Sequence, residues 1–141
     1  MPLLVDTLVN LQELQEHRQA LFTILSELLN NALDHGLLGL DSKIKDSPEG
    51  FVRYFQERQE KLSKLQEGNI LISFSAKKEV RHGRLHIQIE DNGPGFDFEA
   101  WTPRFNEGPV YSGRGLSLVQ GLCESLHFEG NGNIVCAIFR W

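Results

Sequence analysis

The apolar positions of this chain repeat first at helical spacing and then at strand spacing. From Pro2 to about Arg18, Leu4, Leu8, Leu11 and Leu14 recur three or four residues apart, which predicts a helix, and Pro2 suits a first turn where no backbone N–H is needed. From Gln19 the pattern continues through Phe22, Leu25, Leu28, Leu29, Ala32 and Leu33 to Gly36, which reads as a C′ glycine. Ser47, Pro48 and Glu49 then read as an N-cap, a first-turn proline and a first-turn acid. They open a helix that runs to about Glu67, with the stripe Phe51, Phe55, Leu62 and Leu65.

After Gly68 the period falls to two. Ile70, Ile72 and Phe74 alternate with other residues, as do Leu85, Ile87 and Ile89 with His86, Gln88 and Glu90, which predicts two strands with Arg81 to Arg84 as the hairpin link. The Gly- and Pro-containing stretch from Asp91 to Gly115 is too long for a simple connection and reads as a functional loop. A helix over Leu116 to about Leu126, a turn at Asn131-Gly132 and a strand over Ile134 to Phe139 complete the chain. The expected class is α+β, with helices on one face of a small mixed or antiparallel sheet.

Composition narrows the function. A chain of 141 residues, 40% hydrophobic and 23% charged, is in the range of one globular domain. Its net charge of −5 lacks the basic footprint that nucleic acid or an anionic membrane surface requires. Cys123 and Cys136 lie in no metal or redox spacing and read as buried small hydrophobes. With neither a membrane-length apolar run nor the parts of a signal peptide, the expected compartment is the cytoplasm.

The stretch Ser26-Glu27-Leu28-Leu29-Asn30-Asn31-Ala32-Leu33-Asp34-His35-Gly36 sets polar residues into an apolar helix. Glu27 and Asn31 stand four apart and so share a face, with Asn30 and Asp34 on a neighbouring one. Such a stripe is either a solvated face or, since unpaired buried polar groups cost free energy, the lining of a site. His35 reads as a favourable charge at a helix end. Asp91-Asn92-Gly93-Pro94-Gly95 follows a strand: the glycines let a backbone approach a flat ligand, and Asp91 either accepts from an exocyclic amine or caps its own loop. Ser112-Gly113-Arg114-Gly115-Leu116 opens a helix, whose free N–H groups suit a phosphate.

In this order and spacing the three motifs resemble the ATP-binding domain of the GHKL superfamily, which includes gyrase, histidine kinases, large chaperones and anti-sigma-factor serine kinases. The resemblance spans roughly Phe22 to Phe139. It implies a Bergerat-type two-layer α/β sandwich binding ATP and Mg²⁺. Glu-Leu-Leu-Asn-Asn-Ala-Leu-Asp-His-Gly looks most like the serine-kinase branch, and closest to modules fused behind receiver and PP2C-type phosphatase domains. Residues 1–141 would then be one kinase domain of a longer regulator, with a helical insertion at about 47–67.

The resemblance implies that Asn31 holds Mg²⁺ and that Glu27 orients or deprotonates a serine hydroxyl. Asp91 would read adenine, with Gly93 and Gly95 admitting the base. Gly113, Arg114, Gly115 and Leu116 would cradle phosphates, though Arg114 could equally face solvent. Trp101, Arg104, Glu107 and Tyr111 would belong to an ATP lid. Ser117 stands where many relatives have a further glycine, and Gly132-Asn133 where the last strand often opens Gly-Thr. The implied function is phosphorylation of a serine on a STAS-type anti-sigma-factor antagonist, with sigma or anti-sigma factors and the upstream domains as further partners and a homodimer as a possible assembly. The alternative is a non-catalytic, nucleotide-gated module that binds an antagonist or sigma factor. A histidine-kinase reading, with His17 near the start, lacks the dimerisation-helix context.

Overall fold

The computed structural model describes residues 1–41, 45, 47–95 and 114–141, with Arg114 described by its backbone alone. Gly113 and the four lid residues named above lie outside the described residues.

The first helical stretch is divided. Helix α1 (Pro2–Gln12) stops where Glu13 takes a positive φ of 56°, and a 3₁₀ turn (Gln15–His17) leads into α2 (Arg18–Asn31). The buried side of α1 is Val5, Leu8 and Val9, while Leu11 of the predicted stripe is exposed. In α2, Leu21, Ile24, Leu25 and Leu28 are buried at i, i+3, i+4 and i+7, and Asn31 takes the next position of that same face.

Past Asn31 the helix widens into a π-turn (Ala32–Leu37), with the Leu38 N–H reaching the carbonyl of Leu33 at 2.9 Å. Gly36 is therefore not a terminal cap. The left-handed residue that ends the turn is Gly39, at φ 61°.

Helix α3 (Pro48–Lys64) starts as its sequence predicts, with Ser47 Oγ accepting from the Gly50 N–H at 3.0 Å. Its buried face differs from the expected one: Phe51, Phe55, Leu62 and Leu65 are exposed, and Tyr54 is fully buried against Leu38 and Leu40. The polar partner of Tyr54 selects this face. Its hydroxyl donates to Asp34 Oδ2 at 2.8 Å, while Arg58 Nε donates to Asp34 Oδ1 at 2.7 Å.

Strands β1 (Ile70–Lys78), β2 (Gly83–Asp91), β3 (Ser125–Glu129) and β4 (Ile134–Arg140) form one antiparallel sheet in the order β1-β2-β4-β3. The β1–β2 link is residues 79–82, and Gly83 and Arg84 already belong to β2. Helix α4 (Arg114–Leu122) ends before the predicted limit, because Leu126 and Phe128 alternate toward the core and pair with β4 instead. The Asn131-Gly132 turn joins β3 to β4.

Leu85, Ile87 and Ile89 of β2 and Val135, Ala137 and Phe139 of β4 face α1, α2 and α4, so the core lies between helices and sheet. The α+β expectation holds, with a wholly antiparallel sheet among the described residues. Cys123 packs against this core, but Cys136 lies half-buried on the opposite face of the sheet, contrary to its reading as a core residue. Among the described residues, no helix is long and apolar enough to cross a membrane.

Asp34 is a buried carboxylate held by two donors from α3, and removing one partner of such a group leaves the others unpaired. Asp34→Ala is expected to cost about 3 kcal/mol in urea unfolding, and Tyr54→Phe about 1 kcal/mol. Wild-type stability in the alanine variant would show that α3 is held by its apolar contacts alone.

Candidate functional site

Three elements meet at one end of the sheet: the last turn of α2 with its π-turn, the end of β2, and the N-terminus of α4. Asn31, on the core-facing stripe of α2, is buried, and Glu27, one turn earlier, is half-buried. The Glu27 carboxylate lies against Gly115 so closely that a Cβ there would overlap its Oε2. The first N–H groups of α4 have no intrahelical partner, so a carboxylate beside them faces the positive end of the helix. Leu116 points its side chain into the core, which leaves only its backbone to face a ligand.

On the sheet side, Asp91 is 4% exposed at the end of β2. Its Oδ1 accepts from the Gly93 N–H at 2.9 Å, the loop-capping bond that the sequence allowed, while Oδ2 lies over Gly36. Both glycines are required by close approach: a Cβ on Gly36 would overlap the Asp91 carboxylate, and one on Gly93 would overlap the Gly36 carbonyl. Gly95 has a φ of 81° and sits against Asn131, whose amide donates to the Pro94 carbonyl at 3.0 Å. Burial pushes the Asp91 carboxyl above its ordinary range; the Gly93 bond opposes this, and the charge of Glu90 adds to it.

Asn133, where relatives often carry threonine, donates from its side-chain amide to the Asp91 carbonyl at 3.2 Å, and its own carbonyl accepts from the Asp91 N–H at 2.9 Å. It thus fixes the backbone of Asp91 on both sides. A cleft of about 440 Å³ borders Asp91, Gly93, Asn131 and Asn133. Leu71 and Glu90, on the outward face of the sheet, also line it, so it lies across the Asp91 backbone from Glu27 and Asn31.

Lys45 was not anticipated. Its Nζ stands 4.1 Å from the centre of the Tyr54 ring and is attracted by Asp34 and Glu27, although burial outweighs both and lowers its pKa. It belongs to no motif. Asp34 was visible in sequence as a polar residue on the helix, but its partners Tyr54 and Arg58 were not. His35 is corrected: burial lowers its pKa, which favours the neutral ring, and its Nδ1 lies 2.6 Å from the Leu40 carbonyl. It therefore serves as a hydrogen-bonded group rather than as a charge at a helix end.

This meeting of a Glu/Asn helix, an Asp-x-Gly-x-Gly strand end and a glycine at a helix N-terminus coincides with a family match over residues 16–136, to the histidine kinase-, DNA gyrase B- and HSP90-like ATPases (HATPase_c). The chain belongs to the HATPase_c family. No curated protein and no solved structure matches the chain significantly. Membership makes this a GHKL-type ATP-binding domain.

The raised pKa of Asp91 fixes the sign of a stability effect. A carboxyl whose folded pKa exceeds its unfolded value favours folding below the unfolded pKa, and this contribution is lost as pH rises through the folded pKa. Asp91→Asn keeps an oxygen for the Gly93 N–H and removes the buried charge. The expected result at neutral pH is an unchanged or higher melting temperature; if Asp91 accepts from the adenine amine, ATP affinity falls about tenfold, as for a lost charge-assisted bond, and GTP affinity less. Equal losses for ATP and GTP would make Asp91 purely structural.

Proposed function

We propose that this HATPase_c domain is an ATP-dependent protein serine kinase of the anti-sigma-factor type, acting on a STAS-type antagonist in a bacterial partner-switching pathway. The observation that carries the reading is the Glu27 carboxylate held against Gly115 at the N-terminus of α4. If the phosphates rest on the α4 N–H groups, this carboxylate stands beside them at a position suited to an incoming hydroxyl.

In this reading the Asp91 oxygen left over by the Gly93 bond accepts from the adenine amino group. The backbone N–H groups of Gly115 and Leu116 receive phosphate oxygens. The serine oxygen forms a bond to the γ-phosphorus as the bond from that phosphorus to the β–γ bridging oxygen breaks, and ADP leaves. Glu27 orients the hydroxyl and takes its proton. Such transfer depends mainly on positioning and charge stabilisation, which preformed dipoles and a fixed carboxylate supply.

The donor set also fits Mg²⁺, a hard cation that takes oxygen ligands and retains water. The Asn31 side-chain oxygen would hold it. When bound, Mg²⁺ neutralises phosphate charge. Receiver and PP2C phosphatase domains fused upstream, and a cytoplasmic setting, complete the proposed regulator.

Glu27→Ala is expected to reduce phosphoryl transfer to a small protein in lysate of the source organism at least a hundredfold, on the scale of a general base, while ATP affinity stays within about threefold, since uniform binding is retained. ATP binding with no transfer by the wild type would instead indicate a nucleotide-gated binding module. Asn31→Ala is expected to abolish the Mg²⁺-dependent part of ATP affinity in calorimetry, and unchanged affinity would remove Asn31 from the metal.

A further inference from the structure

The outward face of the sheet carries donors of a different kind. The strand register aligns Ser73 with Gln88, Gln88 with Cys136, and Cys136 with His127, in one row across all four strands. Side chains alternate along a strand, so this row points away from the helices, and Glu129, two residues beyond His127, shares its face. His127 Nε2 and Glu129 Oε1 are 3.0 Å apart, and the donor atoms of His127, Glu129 and Cys136 all lie within 4.8 Å of one another. They border a shallow cavity of about 260 Å³.

We propose that His127, Glu129 and Cys136 form a Zn²⁺-binding site on the outward face of the sheet, separate from the ATP site. An imidazole, a carboxylate and a thiol suit a borderline divalent cation such as Zn²⁺, whereas Mg²⁺ takes oxygen donors. Metal–ligand distances of about 2.0–2.3 Å place tetrahedral donors roughly 3.3–3.8 Å apart, so small side-chain rotations close the set around an ion. The backbone need not move, because Cys136 and His127 are already paired across β4 and β3.

An exposed His–Glu ion pair by itself contributes little. The thiol directly across from it distinguishes this group from an ordinary surface pair. Gln88 Oε1 lies 4.0 Å from Cys136 Sγ, so a flip of that amide directs an N–H at the sulfur, the outer-shell support that metal thiolates receive. On binding, the Cys136 S–H proton leaves to solvent and the sulfur–metal bond takes its place. Three protein donors leave the fourth position to water.

The test uses the full, nucleotide-free chain titrated with Co²⁺ as an optical probe and then with Zn²⁺. The expected result is one equivalent bound, with a near-ultraviolet thiolate-to-cobalt band and intense visible bands of tetrahedral Co²⁺, all displaced by Zn²⁺. Cys136→Ser should abolish the thiolate band, His127→Ala and Glu129→Gln should weaken binding at least tenfold, and Cys123→Ser should change nothing. A wild type without the thiolate band, or binding that survives Cys136→Ser, would overturn the proposal. If that variant does not fold, alkylation of the wild type read by mass spectrometry decides instead. Zn²⁺ should shield Cys136 selectively, and equal labelling of Cys136 with and without Zn²⁺ would reject the site.

Discussion

Gly36 lies so close to Asp91 and Gly93 that neither glycine has room for a Cβ. This contact joins the helical layer to the sheet at the site, and other features serve to permit it. The π-turn carries Gly36 away from the path of a regular α-helix and under the end of β2. Asn133 grips Asp91 from the turn just before β4 through side chain and backbone. The apolar core behind the contact, from Leu21 to Leu28 on one side and Leu85 to Ile89 on the other, sets the spacing at which the layers meet.

The buried polar residues follow a division of labour. Asn31, Asp34 and Asp91 are the polar groups buried among the described residues, and all three lie at the C-terminal end of α2, in the π-turn after it, or at the strand end facing that turn. Asp34 is satisfied by Tyr54 and Arg58 and acts structurally. Asp91 devotes one oxygen to its loop and keeps its carboxyl in an environment that disfavours the charge. Burial at such expense is characteristic of sites that reserve polar groups for a ligand.

Much of this was legible in sequence where local rules act. The Ser47 cap, the opening of α3, the alternation in β1 and β2 and the last strand follow from short-range chemistry, and the three motifs identified the elements that meet at the site. Long-range partners decided what was not legible. The face of α3 was misjudged because Tyr54, a residue with a polar end, is buried by a partner twenty positions away. The start of β3, Ser125 and Leu126, read as the end of the preceding helix because five residues carry too little period to oppose it, and pairing with β4 settled the matter. Gly36 looked like a helix cap because a glycine kept for close approach has the same letter as one kept for positive φ.

Among the described residues there are two apolar clusters of unequal size. The larger unites α1, α2, α4 and the sheet, and the smaller holds only Leu38, Leu40 and Tyr54 with Leu33 at its edge. Cooperative units follow such boundaries, and a unit with few buried contacts opens at lower free energy than the global transition. Helix α3 can thus release its backbone amides to hydrogen exchange in excursions that leave β2 and β4 protected, which gives the domain two tiers of opening within one native state.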